Sequence, residues 1–115
     1  MNDSEKLGGD WAAIEDLRRE IDEIDRRLLE LLNERARRVV GIGRIKRAHG
    51  LPLYQPDRER LVFESVEAVN PGPLSSRAIR RLFERILDES RSVERHVMEP
   101  LPADSGDEAG PGGKR

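Results

Sequence analysis

The chain has 115 residues, enough for one domain, of which 38% are charged and only 3% aromatic. That composition offers little for a thick globular core and suits thin helical packing around a narrow apolar seam. Lys plus Arg (21) nearly balance Asp plus Glu (23), for a net charge of -2. A nucleic-acid binder would show a net basic footprint; the run Arg35, Arg37, Arg38 is basic, but acidic residues surround it. With no cysteine, a disulfide framework and thiolate chemistry are excluded.

Residues 1–10 are polar and read as a loose, disordered leader without the apolar core of a signal peptide. No segment approaches a membrane span, so the expected location is cytoplasmic, with no membrane and no nucleic-acid partner. Asp10 is the expected N-cap of a helix opening near Trp11. From Ile14 an apolar residue recurs every seven positions. Ile14, Ile21, Leu28 and Ile42 form one seam, and Leu17, Ile24, Leu31 and Ile45 the other. The pattern runs to about Ala48, where Gly50 and Pro52 should end it. Nearly forty helical residues would span roughly 55 Å at 1.5 Å each, more than the diameter of a compact domain this size. A second copy of the chain is the economical cover for the seam.

Residues 50–55 read as a connector. Pro56 suits the first turn of a second helix with Gln55 in the cap position, carrying Leu61, Val62, Val66 and Val69 on one face. Asn70-Pro71-Gly72-Pro73 breaks it. Ser75 or Ser76 caps a third helix reaching about Met98, with a stripe of Ile79, Leu82, Phe83, Ile86, Leu87, Val93 and Val97. From Glu99 the tail is Pro, Gly, Asp and Ala, and its composition is that of a disordered segment. The expectation is an all-α, three-helix domain over residues 11–98, with a very long first helix and an entwined homodimer.

Certain polar residues occupy apolar places. Arg35 falls on the first seam, and Lys46 lies three helical turns further on, facing the same way. Two cations on a buried face are costly unless something anionic lies between them. Ser90 and Glu94 interrupt the third helix's stripe one turn apart, and Gln55, Asp57, Arg58 and Glu59 open the second helix. Packed together, these sets would surround a mostly cationic cavity suited to a small dianion that also carries a hydroxyl. Arg18 lies about 25 Å before Arg35 along one helix, so any site it serves belongs to the partner subunit.

Each residue also has a plain structural reading. Arg18 can be a solvated surface residue, and Arg35 can snorkel to water. Lys46 complements the dipole at a helix C-terminus. Arg58 and Glu59 can be a first-turn pair, and Glu94 can pair with Arg91 or a neighbouring helix. Gly41 and Gly43 each weaken a helix by about 1 kcal/mol relative to Ala, which close backbone packing would justify. His49 and His96 have no neighbours at metal-ligand spacing. The arrangement, not any single residue, carries the functional reading.

The segments LRREIDEIDRRLLELLNERARRVVGIGRIK (17–46), YQPDRE (54–59) and RLFERILDESRSVE (81–94) resemble the all-helical, AroQ-class chorismate mutases. The resemblance covers about residues 11–98. It implies an entwined homodimer of three-helix subunits whose two active sites each take one arginine from the partner, and a chorismate-to-prephenate rearrangement that uses no metal or cofactor. Carried over by motif, Arg18 would bind a substrate carboxylate in the partner's site, and Arg35 would hold the other carboxylate. Lys46 would contact a carboxylate and the ether oxygen. Arg58 would line the site, Glu59 would bind the ring hydroxyl, Ser90 would add a carboxylate contact, and Glu94 would face the ether oxygen. Gln55 stands where many members have Asp. A Glu at position 94 looks like the mutase domains fused to DAHP synthase, which makes that enzyme a possible partner.

The implied reaction is unimolecular: the enzyme folds the enolpyruvyl side chain over the ring. Two planar guanidinium forks on two carboxylates can fix that geometry. Lys46 can stabilise the charge growing on the ether oxygen; Glu94 can do so only as a protonated donor, a form that desolvation favours. Two other readings stay open: an isochorismate pyruvate lyase using the same clamps, and a non-catalytic helical dimer regulating a shikimate-pathway enzyme.

Overall fold

The computed structural model describes residues 3–99, with side chains from residue 8 onward. Three helices account for it: α1 (Asp3–His49), α2 (Pro56–Val69) and α3 (Ser76–Met98). Among the described residues there is no strand, and no helix is long and apolar enough to cross a membrane. The expected tail, apart from Glu99, lies outside the described residues, as do Met1 and Asn2.

The chain divides into two compact units, one up to Arg38 and one from Val39. The first holds the greater part of α1. The helix opens at Asp3, seven residues before the expected cap, so Asp10 lies inside it and residues 3–10 are helical, not a loose leader. Turn-to-turn ion pairs such as Arg18–Glu15 (2.9 Å) and Arg26–Glu23 (2.8 Å) lie along its solvent face. Its seam is uncovered: Trp11, Ile14, Leu17, Ile21, Ile24, Leu28 and Leu31 are all exposed. A helix with an open apolar stripe draws its stability from whatever covers that stripe more than from propensity.

The second unit holds the end of α1, the connector, α2 and α3. Gly43 explains how α1 meets α3. A methyl group built there would lie 3.3 Å from Cβ and Cγ1 of Val97 and 3.4 Å from Cγ of Glu94, so the missing side chain lets the helices approach. Gly41 has no such neighbour within 4 Å. The close-packing expectation is met within the chain at Gly43. The helix ends as its glycine dictates: Gly50 takes φ +64, and the Leu51 N–H donates to the Lys46 carbonyl at 2.9 Å. This is the six-to-one bond that closes a helix through a left-handed residue.

Pro56 opens α2 as expected, with Gln55 at the cap making no side-chain cap bond. Val62, Phe63 and Val66 are half-buried, whereas Leu61 and Val69 are exposed. On α3, Ile79, Phe83, Ile86, Val93 and Val97 are half-buried and Leu82 is exposed. Leu87 is the one buried apolar side chain among the described residues. Arg80 ties the two helices, with Nε 2.8 Å from Glu67 Oε2 and its guanidinium 4.4 Å from the Phe63 ring centre. Between α2 and α3 the Asn70 side chain accepts from the Gly72 N–H at 3.0 Å and donates to the Leu74 carbonyl at 2.7 Å. These two hydrogen bonds satisfy a turn that two prolines leave short of donors.

Of the two serines offered as the cap of α3, Ser75 is the one: its hydroxyl accepts from the Ala78 N–H at 3.0 Å. Ser75→Ala should cost about 1 kcal/mol. Thermal unfolding followed by circular dichroism should show a midpoint lowered by a few degrees, about 4–8 °C for a domain of this size.

Candidate active site

Lys46 faces inward from the last turn of α1. It is 7% exposed, the one buried charged residue among those described. A buried ammonium is costly unless its charge and its donors are met. Its Nζ lies 2.5 Å from Glu94 Oε2 on α3 and donates to the Leu53 carbonyl of the connector at 3.0 Å. Three segments thus converge on one cation. The Glu94 side chain is itself 12% exposed. Its Oε2, the atom that meets the ammonium, is buried. Of the structural readings, the pairing of Glu94 with a neighbouring helix is the one observed, in place of a pair with Arg91, and Lys46 keeps its place in the last turn of α1.

Ser90 lies one turn before Glu94 on the same side of α3. It is half-buried, and its hydroxyl donates to the Ile86 carbonyl at 2.9 Å.

Glu59 opens the second cluster. It is half-buried on α2, and both its oxygens lie 2.5 Å from Nη1 of Arg91 on α3. Arg91 also bonds Asp88 through Nη2 and lies over the Tyr54 ring, 5.9 Å from its centre. The hydrogen bond to Glu59, with lesser contributions from the charges of Glu59 and Asp88, holds the Arg91 guanidinium protonated above the ordinary arginine range. Glu59 is therefore no first-turn partner of Arg58, which is exposed, as is Gln55.

Arg18 and Arg35 belong to the first unit. Arg18 is exposed and paired with Glu15; Arg35 is half-buried on its helix. Among the residues proposed from sequence, the structure brings Lys46 and Glu94 into direct contact. Sequence reading offers Arg91 only as a partner of Glu94 and misses its tie to Glu59. Its local signal, Asp88 three positions earlier, is that of an ordinary surface pair. Its partner on α2 is 32 positions away, a distance no helical periodicity reports.

The chain is similar to known proteins in sequence and in fold. The family model for chorismate mutase type II matches residues 17–95. A bifunctional chorismate mutase/prephenate dehydratase of Aquifex aeolicus (strain VF5) is 36% identical over 88 residues, 73% of this chain and 24% of that protein. The chain thus spans about a quarter of that relative's length. Among solved structures, form II of the chorismate mutase from Thermus thermophilus superimposes with a TM-score of 0.71 at 42% identity, over 72% of this chain and 94% of that one. The chorismate mutase from Helicobacter pylori, solved in complex with prephenate, has a TM-score of 0.71 at 25% identity, over 79% of this chain and 99% of that one. With three helices and a match over residues 17–95, the chain belongs to the chorismate mutase type II family and carries that family's isomerase domain.

Proposed function

We propose that this chain converts chorismate to prephenate as a cytoplasmic homodimer, with no cofactor. The observation that carries the reading is the buried Lys46–Glu94 pair, a cation and a carboxyl group held together in a chain of this family. A structural ion pair gains little from burial, since desolvation offsets most of the attraction. Service to a ligand gives the two groups a use that stability alone does not. The substrate's ether oxygen gains negative charge as its C–O bond breaks, and a fixed, desolvated ammonium stabilises that charge more in the transition state than in the ground state. Lys46 supplies the ammonium. Glu94, in its protonated form, shares the contact as a hydrogen-bond donor, and Ser90 adds a carboxylate contact. Glu59 takes the ring hydroxyl, with Gln55 and Arg58 completing that side.

Arg35 and Arg18 hold the two substrate carboxylates, Arg18 from the partner subunit. The exposed seam from Trp11 to Leu31 supports the dimer, because a continuous apolar stripe of this size marks an interaction surface. The direct test mixes pure protein with chorismate and follows loss of its absorbance and formation of prephenate. Release of pyruvate from isochorismate instead would make the protein a lyase, and no turnover of either would make it a non-catalytic dimer.

Arg35→Ala should abolish nearly all turnover and leave the helical circular dichroism intact. Arg35→Lys should fail as well, since an ammonium cannot reproduce the bidentate fork. An active variant of either kind would remove Arg35 from the site.

A linked, single-chain dimer carrying Arg18→Ala and Arg35→Ala in the same half distinguishes shared from private sites. Shared sites predict that each site lacks one arginine and that activity vanishes. Sites built within one subunit predict that half the activity survives. Light scattering on the unlinked protein should report a dimer at micromolar concentration.

Glu94→Gln keeps the shape and gives a permanent donor, so turnover should persist. Glu94→Ala should lose most of the rate. Lys46→Met should lose the rate and stability together, by about 3–5 kcal/mol, because it strands a buried carboxylate without its cation. Steady-state kinetics and urea unfolding separate the two effects.

A further inference from the structure

Arg91 has no part in the function proposed above, yet it makes the tightest set of polar contacts on α3. One guanidinium nitrogen straddles both oxygens of Glu59 at 2.5 Å, and the other end is anchored by Asp88. Its side chain is 31% exposed and that of Glu59 20%. The pair lines a hollow of about 390 Å³ between α2 and α3, together with Tyr54, Phe63, Leu87 and Asp88. We infer that Arg91 is a positioning residue for the hydroxyl-recognising carboxylate: it fixes Glu59 across the α2–α3 gap so that the remaining lone pairs of that carboxylate are aimed at the ring hydroxyl.

The chemistry is that of a carboxylate with about four acceptor positions. Arg91 occupies one on each oxygen, which stops rotation about the last side-chain bond and leaves the others for a donor. A free Glu side chain would lose rotamer entropy on meeting the substrate; one already held by a cation has lost it beforehand. Asp88 matters for the same reason, because an arginine anchored at its far end is itself fixed. The Tyr54 ring, 5.9 Å from the guanidinium, adds a cation–π contact at the edge of its range. The arrangement acts on recognition of one substrate group and not on the charge developing at the ether oxygen, which is the task of Lys46. This inference rests on the reading that Glu59 takes the ring hydroxyl.

The test compares chorismate with an analogue in which the ring hydroxyl is replaced by hydrogen, using wild type, Arg91→Leu, Arg91→Lys and Glu59→Gln. Thermal unfolding of each variant is measured alongside. With chorismate, Arg91→Leu should lower kcat/KM by roughly tenfold, within the range of coupling between groups in direct contact, and most of the loss should fall in KM. With the analogue, the same variant should match wild type. Arg91→Lys should lie between the two with chorismate, and it keeps the test decisive if the Leu variant does not fold. An equal loss with both substrates would make Arg91 a structural residue and overturn the inference. So would an unchanged or increased rate with chorismate, the latter meaning that Arg91 holds Glu59 away from the substrate. The parent reading is tested separately: if Glu59→Gln treats the two substrates as wild type does, Glu59 does not take the hydroxyl, and both ideas fall. If Glu59→Gln discriminates and the Arg91 variants do not, only the role of Arg91 falls.

Discussion

An ammonium that has left water must find its hydration replaced atom by atom, and Lys46 determines much of the second unit through that need. Its charge is met by Glu94 at 2.5 Å and one of its protons by the Leu53 carbonyl at 3.0 Å. These partners come from α3 and from the connector, so satisfying one cation fixes where two other segments lie relative to the end of α1. Gly43 belongs to the same constraint. It sits nearly one turn before Lys46, against Val97 and the stem of Glu94. A larger side chain there would push away the helix that supplies the countercharge. Packing and electrostatics are one problem at this point of the molecule, and the glycine's cost in helix propensity, about 1 kcal/mol, is offset by the contact it permits.

Much of this architecture was legible in the residues. Pro56, Ser75 and Gly50 mark helix ends through local backbone chemistry, and local chemistry survives any tertiary context. Arg35 and Lys46 stood out because a seven-residue repeat makes a polar residue on the seam conspicuous. The start of α1 was not legible in the same way. Asp10 is a good cap by residue type, but the residues before it continue the helix from Asp3, and a cap residue inside a helix is merely a weak helix former. On α2, Phe63 is half-buried while Leu61 and Val69 are exposed, because the face that α2 turns inward depends on where α3 sits.

The candidate site divides along the same line. That Glu94 would occupy an apolar stripe followed from periodicity; that its partner would be Lys46 and not Arg91 did not, since more than one cation lay within plausible reach. Arg91 enters the sequence reading only as a possible partner of Glu94, because its tie to Glu59, 32 positions away on α2, leaves no local sign. Ion pairs between helices depend on rotation and height of one helix against another, and a sequence read one helix at a time carries neither.

The closure of α1 has a consequence for how this chain can vary. The Leu51 N–H takes the backbone carbonyl of Lys46 at 2.9 Å, and two residues later the Leu53 carbonyl takes its side chain at 3.0 Å. Lys46 is thus held at both ends by the segment that immediately follows its own helix. Surface connectors ordinarily tolerate added residues, since doubling a loop's length costs only about 0.6 kcal/mol in closure entropy. Between Gly50 and Leu53 that freedom is gone. A single inserted residue would keep the helix stop and shift the carbonyl off the ammonium. Here the length of a connector, not the identity of its residues, sets the coordination of the buried charge.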